Sequence, residues 1–334
     1  MEPHLTLKDI VDAKRRINKF INDTPILSSS LLNNWLGHEI FFKAENLQKI
    51  GAFKARGALN TISWLTENNH KPNHIVANSS GNHAQAVAWA SKMFDIPATI
   101  YMPDYSSKVK IQATKAYGAQ VVLCKTRQEA DKQVKRDSLK NGVYWVPPFN
   151  HNQVISGQGT AAYDAISKIG DVDAVFAPCG GGGLLSGSLI ASKGLLPNVQ
   201  VIGAEPLLGN DAAESLRQKS IQRLDAAPKT LADGAMTLAV GDITFEYLKQ
   251  LDGFFEITEE AMIYWTQWLT HLLKLRIEPT SALSMESVFQ WLKIQPKKKR
   301  VLLILSGGNI DQQTTQKIWV KDYLVTEPHL KDSL

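Results

Sequence analysis

The chain has 334 residues, 44% apolar and 21% charged, and a formal net charge of +5 from 37 basic and 32 acidic side chains. That length gives ample core for one large α/β unit or two domains, and the mild charge fits a small anionic ligand as well as a nucleic acid. The densest basic run, 297–300, lacks aromatic interleaving or a basic face, so no nucleic-acid partner is expected.

The first segment, "MEPHLTLKDIVDAKRRINKF", has no apolar signal core, and no run approaches the ~20 apolar residues of a membrane span. From there the chain repeats one pattern: a short apolar run, a small or polar turn, then a helical period. "HEIFFKAEN" leads into "ENLQKIGAFKARGALN" (45–60), and "HIVANSSGNHAQAVAWASKM" and "PATIYMPDYSSKVKIQATKAYG" follow. "AQVVLCKTRQEADKQVKRDSLKN", "DAVFAPCGGGGLLSGSLIASKG", "VQVIGAEPLLGNDAAESL" and finally "KRVLLILSGGNIDQQ" complete the series. Strand, loop and helix repeated this often predict an α/β protein with parallel sheets covered on both faces. Ligand sites in such sheets lie beyond the carboxyl ends of the strands. "WVPPFNHNQVISGQG" (145–159), punctuated by Pro147, Pro148, Gly157 and Gly159, is the expected crossing between two lobes. Cys124 and Cys179 stand far apart with no metal-ligand spacing, which predicts no disulfide framework and a soluble protein of a reducing cytoplasm.

Four loops can carry chemistry. In the stretch 45–60, Lys54 sits between Gly51 and Gly57, which a solvated helix start would not need. Gly180, Gly181, Gly182 and Gly183 follow an apolar strand and open a helix near Leu184. Successive backbone N–H groups there can turn inward as an anion nest, so a phosphate cradle is expected. A dinucleotide fingerprint would need a third glycine where Ser186 stands, yet Glu205 ends the next strand, which keeps a nucleotide-dependent oxidoreductase as a competing reading. Ser79, Ser80, Gly81 and Asn82 form a polar turn before a helix starting near His83. Its backbone N–H groups can hold a carboxylate, or the turn is a plain N-cap, and His83 is a ligand or a structural histidine. Ser306, at the end of "VLLILSGGN", can give one hydrogen bond to a buried heteroatom.

Taken together and in this order, "GAFKARGA", "SSGNHAQA", "GGGG" and "SGGN" resemble the fold-type II pyridoxal-phosphate enzymes of the threonine/serine dehydratase and serine racemase family. The likeness spans nearly the whole chain and includes "ISGQGT", "TLADG" and "EPTSA". It implies two parallel-sheet α/β domains: residues 1–68 with 150–330 as a large cofactor-binding domain, and 69–149 as a small inserted domain carrying the substrate loop. It also implies that Lys54 bonds the cofactor aldehyde and serves as base, for which its free pKa of ~10.4 must be lowered. Gly180–Gly183 would hold the phosphate, Asn82 the phenolic oxygen, and Phe53 would pack on the ring. Ser306 would face the pyridine nitrogen, where a hydroxyl makes a weaker electron sink than a carboxylate and so suits β-elimination. Ser79, Ser80, Gly81, Asn82 and His83 would bind the substrate carboxylate.

The implied reaction is the deamination of L-serine or L-threonine to a 2-oxo acid and ammonia. Ser80, where many threonine dehydratases carry alanine, opens serine racemisation by two bases, Lys54 and Ser80, as an alternative, and 3-hydroxyaspartate dehydration is another. Glu205, Gly209 and Asp211 align with the family's divalent-cation site, which suits Mg²⁺ or Ca²⁺; a solvated acidic turn is the plainer reading. Asn150 and His151 stand where many relatives carry acids. The chain past "SGGN" leaves no room for an appended regulatory domain, and the family habit is a homodimer. The stretch 45–60 then reads consistently. Gly51 and Ala52 leave room beside a flat cofactor, Gly57 allows close helix packing, and Lys49 and Arg56 are solvated or structural charges. A cysteine-synthase-type enzyme would show Asn-Pro-Thr-Gly before its lysine, where this chain has "NLQKIGAF". A non-catalytic amino-acid sensor would not need Lys54.

Overall fold

The structure is a computed structural model that describes residues 4–330. Among these residues ten strands form two sheets. They are β1 (Ile26–Leu27), β2 (Glu39–Ala44), β3 (His74–Asn78), β4 (Ala98–Pro103), β5 (Gln120–Cys124), β6 (Val143–Trp145), β7 (Ala174–Pro178), β8 (Gln200–Pro206), β9 (Gly253–Ile257) and β10 (Arg300–Leu305). The larger sheet runs β1-β2-β10-β7-β8-β9 and the smaller β5-β4-β3-β6. Every pairing is parallel except β1 on β2. Strands with helices on both faces have no wet side, which is why Val301–Leu305 and Ala174–Pro178 are buried without alternation.

β2, near the start of the chain, pairs with β10, near its end, in the register Ile304↔Lys43 and Leu305↔Ala44. β7 lies on the other side of β10. The segments leaving the carboxyl ends of these three strands carry Lys54, Ser306 and the glycine run. Ala52 bridges Gly307, Phe53 N–H donates to Ser306 O (3.0 Å), and Gly308 N–H donates to Gly51 O (3.0 Å). The polar turn 79–82 follows β3 of the smaller sheet. Chain crossing between the sheets occurs after β6, where 146–151 leads into the helix Asn152–Ile169.

That central helix packs on the helix Lys54–Glu67 and on the helix Gly183–Leu195, backbone against backbone. A methyl group added at Gly157 would lie 2.6 Å from Arg56 O, and one at Gly159 would lie 2.5 Å from Gly187 O. Gly57 plays the part its sequence position suggested, since a methyl there would meet Val154 O at 2.9 Å. The lysine helix and the glycine run are thus fixed to one shared support.

Arg56 is a structural charge of an extreme kind. Its guanidinium is buried and donates to both oxygens of Glu45 (2.7 and 2.8 Å), to Asp164 (2.9 Å) and to Thr160 (3.0 Å). Lys14 completes the cluster on Asp164 at 2.6 Å. Burial works against the Glu45 charge, and Arg56 overcomes it, holding that carboxyl below its usual range. Lys49, by contrast, is exposed. No helix among the described residues is long and apolar enough to cross a membrane.

Candidate functional site

A cleft of about 380 Å³ opens between the two sheets, and all four loops singled out in the sequence line it. Lys54 is the first residue of its helix, half-buried, with Nζ donating to Pro148 O (2.6 Å). Desolvation pushes its ammonium down to about 8, with Glu278 opposing. Lys110 also reaches the cleft, but it is ion-paired with Asp233, and against the cost of burial that pairing raises its pKa. A nucleophile or base must be able to shed its proton near neutral pH. Lys54 meets that condition and Lys110 does not.

Phe53 lies beside the lysine, its ring centroid 5.2 Å from Nζ. Gly51 has a left-handed backbone (φ +72°), and a methyl there would lie 2.8 Å from Asn309 Oδ1, so its room is taken by the "SGGN" loop. Gly180–Gly183 form the cleft wall after β7, with Gly182 at φ +91° and the helix starting at Gly183. Thr244 Oγ1 donates to Gly181 O (2.7 Å), and the ring of Phe149 lies where a side chain at Gly181 would stand. A glycine loop that lines the cleft at a helix N-terminus suits a phosphate. The buried Ser306 hydroxyl shares a 3.0 Å hydrogen bond with Ser281 Oγ, and no carboxylate bonds to it.

Across the cleft, Ser79, Ser80, Gly81 and Asn82 line the wall at the start of the helix Asn82–Met93, and Ser80 is exposed. Asn82 is pinned at both ends of its amide. Nδ2 donates to the Glu278 carboxylate (3.0 and 3.2 Å), and Oδ1 accepts from Asn309 Nδ2 (2.8 Å). His83 behaves as a structural histidine in its ring: Nε2 bonds Val146 O (2.9 Å), and burial, aided by Lys54, pushes the imidazole down to about 3. Its ring is neutral at ordinary pH and brings no charge to the cleft.

Three features of the site were not singled out beforehand. Glu278, buried against Gly307, is the acid nearest in effect to Lys54; burial raises its pKa, and Asp233 adds to the rise. The sequence signal was an acid at a helix start before Pro279. Phe149 closes over the glycine run, and the Lys110–Asp233 pair with Arg127 Nη1 to Met236 O (2.7 Å) ties the two walls together. These depend on loop approach and have no local signature. Asn150 faces Asp242 and Ile243 N–H rather than the cleft.

Glu205 lies outside the cleft wall. Its carboxylate accepts from Ala213 N–H (2.7 Å) and Ala212 N–H (3.2 Å) at the start of the helix Asp211–Gln218. Burial pushes it up to about 9. A ribose ligand would have to face the glycine run, so the oxidoreductase reading loses its acid. Asp211 is likewise raised to about 7 by burial; its oxygens make no well-formed hydrogen bond, and the nearest donors are its own N–H and that of Val240.

The chain is 43% identical to a serine racemase of Schizosaccharomyces pombe over 308 residues, covering 92% of this chain and 94% of that protein. It is 40% identical to an L-threo-3-hydroxyaspartate ammonia-lyase of Saccharomyces cerevisiae over 310 residues, covering 92% and 94%. The crystal structure of a T.th. threonine deaminase superimposes with a TM-score of 0.87 at 39% identity, covering 92% of this chain and 99% of that one. The family described as pyridoxal-phosphate dependent enzyme matches residues 17–307. A desolvated lysine, a phosphate-ready glycine loop and a buried serine on one cleft are the parts such an enzyme needs, and the chain belongs to the pyridoxal-phosphate dependent enzyme family.

Proposed function

We propose that this chain is an L-serine/L-threonine ammonia-lyase that releases a 2-oxo acid and ammonia, with serine racemisation as a second activity of the same cleft. The observation that carries it is the placement of Lys54, the glycine run and Ser306 on one wall, opposite the turn 79–82. The bound cofactor supplies an electron sink conjugated to the substrate's α-carbon. Gly180–Gly183 would hold its phosphate, Asn82 its phenolic oxygen and Phe53 its ring. Lys54, able to exist as a neutral amine, removes the α-proton. The N–H groups of the turn orient the substrate carboxylate, while Ser306 presents a neutral hydroxyl and so favours departure of the β-hydroxyl over stronger charge storage. The reading divides the chain into 1–68 with 150–330 and 69–149, supported by the two separate sheets.

Incubation with L-serine, L-threonine, D-serine and L-threo-3-hydroxyaspartate, with oxo acid and enantiomer measured together, tests the assignment. Oxo acid from the first two substrates is expected. Enantiomer exchange with no oxo acid would make the chain a racemase, and oxo acid from hydroxyaspartate alone would make it that lyase. Ser80 favours the second activity, since its exposed hydroxyl lines the wall facing Lys54. Ser80→Ala is expected to lower racemisation at least about tenfold while oxo-acid formation falls far less, as loss of one acid–base group predicts. An equal fall in both would assign Ser80 to substrate binding only.

The same reading places Mg²⁺ or Ca²⁺ at Glu205, Asp211 and the Gly209 carbonyl. Two buried carboxyls with raised pKa values, of which Asp211 has both oxygens unpaired, fit a hard cation. Among the described residues no cluster of three or more ionisable metal-ligand side chains occurs, so backbone and water must complete the shell. A cation at a hundred times its Kd adds about 2.7 kcal/mol of stability. Chelation is therefore expected to lower Tm by several degrees, reversed by Mg²⁺ in the native chain and not in Glu205→Ala. Light scattering tests the homodimer that the family resemblance implies.

A further inference from the structure

Asp131 is an acid of the cleft to which the proposed reaction gives no role. It stands on the helix Arg127–Ser138, lines the cleft and is partly exposed. A short relay fixes its position. Trp145 Nε1 donates to Asn78 Oδ1 (3.1 Å), and Asn78 Nδ2 donates to Asp131 Oδ1 (2.6 Å). Asn78 ends β3 and directly precedes Ser79, so the carboxylate is held beside the turn assigned to the substrate. Among the described residues no hydrogen bond or ion pair reaches its other oxygen, Oδ2, which is not sealed in the interior.

The other charges of the cleft are committed elsewhere. Lys110 is paired with Asp233, Glu278 bonds Asn82, and Asp311 accepts from Thr314 N–H (2.8 Å). Arg127 lies one turn before Asp131 on the same helix, but its Nη1 donates to Met236 O on the opposite wall (2.7 Å), and among the described residues no ion pair joins it to Asp131. A fixed, open and unpaired carboxylate therefore sets the sign of charge beside the turn. Every candidate substrate carries an α-carboxylate, and its interaction with Asp131 cancels when two substrates are compared. A second carboxylate on the β-carbon does not cancel. Like charges brought together in a partly dry site cost binding, and such repulsion is a common source of specificity.

We propose that Asp131 is a specificity-determining residue of the cleft, rejecting β-hydroxy amino acids that carry a second carboxylate and so selecting L-serine and L-threonine over L-threo-3-hydroxyaspartate. This rests on the ammonia-lyase reading and deepens it by naming the substrate class: β-hydroxy amino acids with no charge beyond the α-carbon's own two groups. Asp131 acts through its charge, and it moves no proton in the reaction. The Trp145–Asn78 relay keeps that charge in place whatever substrate enters.

The test is the ratio of kcat/KM for L-threo-3-hydroxyaspartate to that for L-serine, measured on the cofactor-loaded full chain. Asp131→Asn keeps the size and an oxygen that accepts from Asn78, and it removes the charge. It is expected to raise the ratio at least about tenfold, chiefly through a lower KM for hydroxyaspartate, as release from a like charge predicts. Asp131→Glu keeps the charge and is expected to keep the ratio low. If neither variant folds, salt carries the test on the native chain: it screens the repulsion, so the ratio is expected to rise with NaCl. An unchanged ratio in Asp131→Asn, an equal rise in Asp131→Glu, or a ratio flat in salt would overturn the proposal. So would a native preference for hydroxyaspartate that Arg127→Gln abolishes, since Arg127 would then read the second carboxylate. If no substrate yields oxo acid, the lyase reading falls and takes the proposal with it, an outcome distinct from a ratio that fails to move.

Discussion

Replacing Lys54 with alanine is expected to abolish both turnover and the visible absorption band of the cofactor-loaded protein. Covalent attachment and α-proton removal are both assigned to this one amine, and loss of acid–base catalysis alone typically costs 10²–10⁴-fold. A fall in kcat of at least about 10³-fold is expected, read as oxo acid from L-serine. Stability should not fall with it. The Lys54 pKa is lowered to about 8. A folded-state value below the unfolded one means that the charged lysine costs stability at pH values below it, and alanine removes that cost. Only one hydrogen bond, to Pro148 O, goes with the side chain. The expected pairing is therefore a dead enzyme whose cofactor-free form has an unchanged or slightly raised Tm. Retained turnover would remove Lys54 from the chemistry and with it the lyase assignment.

Arg56→Met should do the reverse, striking the fold first. The substitution leaves Glu45 and Asp164 in the interior without their shared cation. Breaking a buried pair by removing one partner costs about 3–5 kcal/mol, because the surviving charge is stranded. Denaturant unfolding is the measurement, and a loss under about 1 kcal/mol would show that the cluster is solvated. The pH dependence has a definite sign. In the native chain the Glu45 pKa is lowered, so its contribution is present above the unfolded value near 4.5 and is lost as pH falls through the folded value. In the variant the stranded carboxyls can relieve their burial by taking up protons. The stability gap between the two proteins should therefore narrow as pH falls from 7 toward 4.

Arg56 also shows where local reading ends. In "GAFKARGA" the two cations stand two residues apart, and either one fits a helix start. Their fates separate because Lys54 leaves the first helical turn toward the cleft, while Arg56 points beneath it at Glu45 and Asp164, which come from a loop before the lysine and from the central helix. No spacing rule in the sequence states that Asp164 will arrive there.

What the sequence determined by itself was the kind of parts present and their order. Apolar runs buried on both faces forced parallel strands, each returning through a helix, and small residues at the strand ends marked where a ligand could approach backbone. Four glycines at a strand-to-helix junction predicted an anion nest, since few other uses repay their conformational freedom. What only the tertiary structure decided was which parts meet. Pairing of β2 with β10 put Ser306 against Phe53, the packing of Asn309 and Glu278 on Asn82 fixed the orientation of its amide, and desolvation rather than neighbouring charge lowered the pKa of Lys54. Glu205 was turned from a possible ribose ligand into a buried helix-start acid. Each of these depends on approach between segments far apart in the chain, and on the loss of water that such approach brings. A linear pattern carries neither distance nor dielectric, so these were settled only when the two sheets closed on one another.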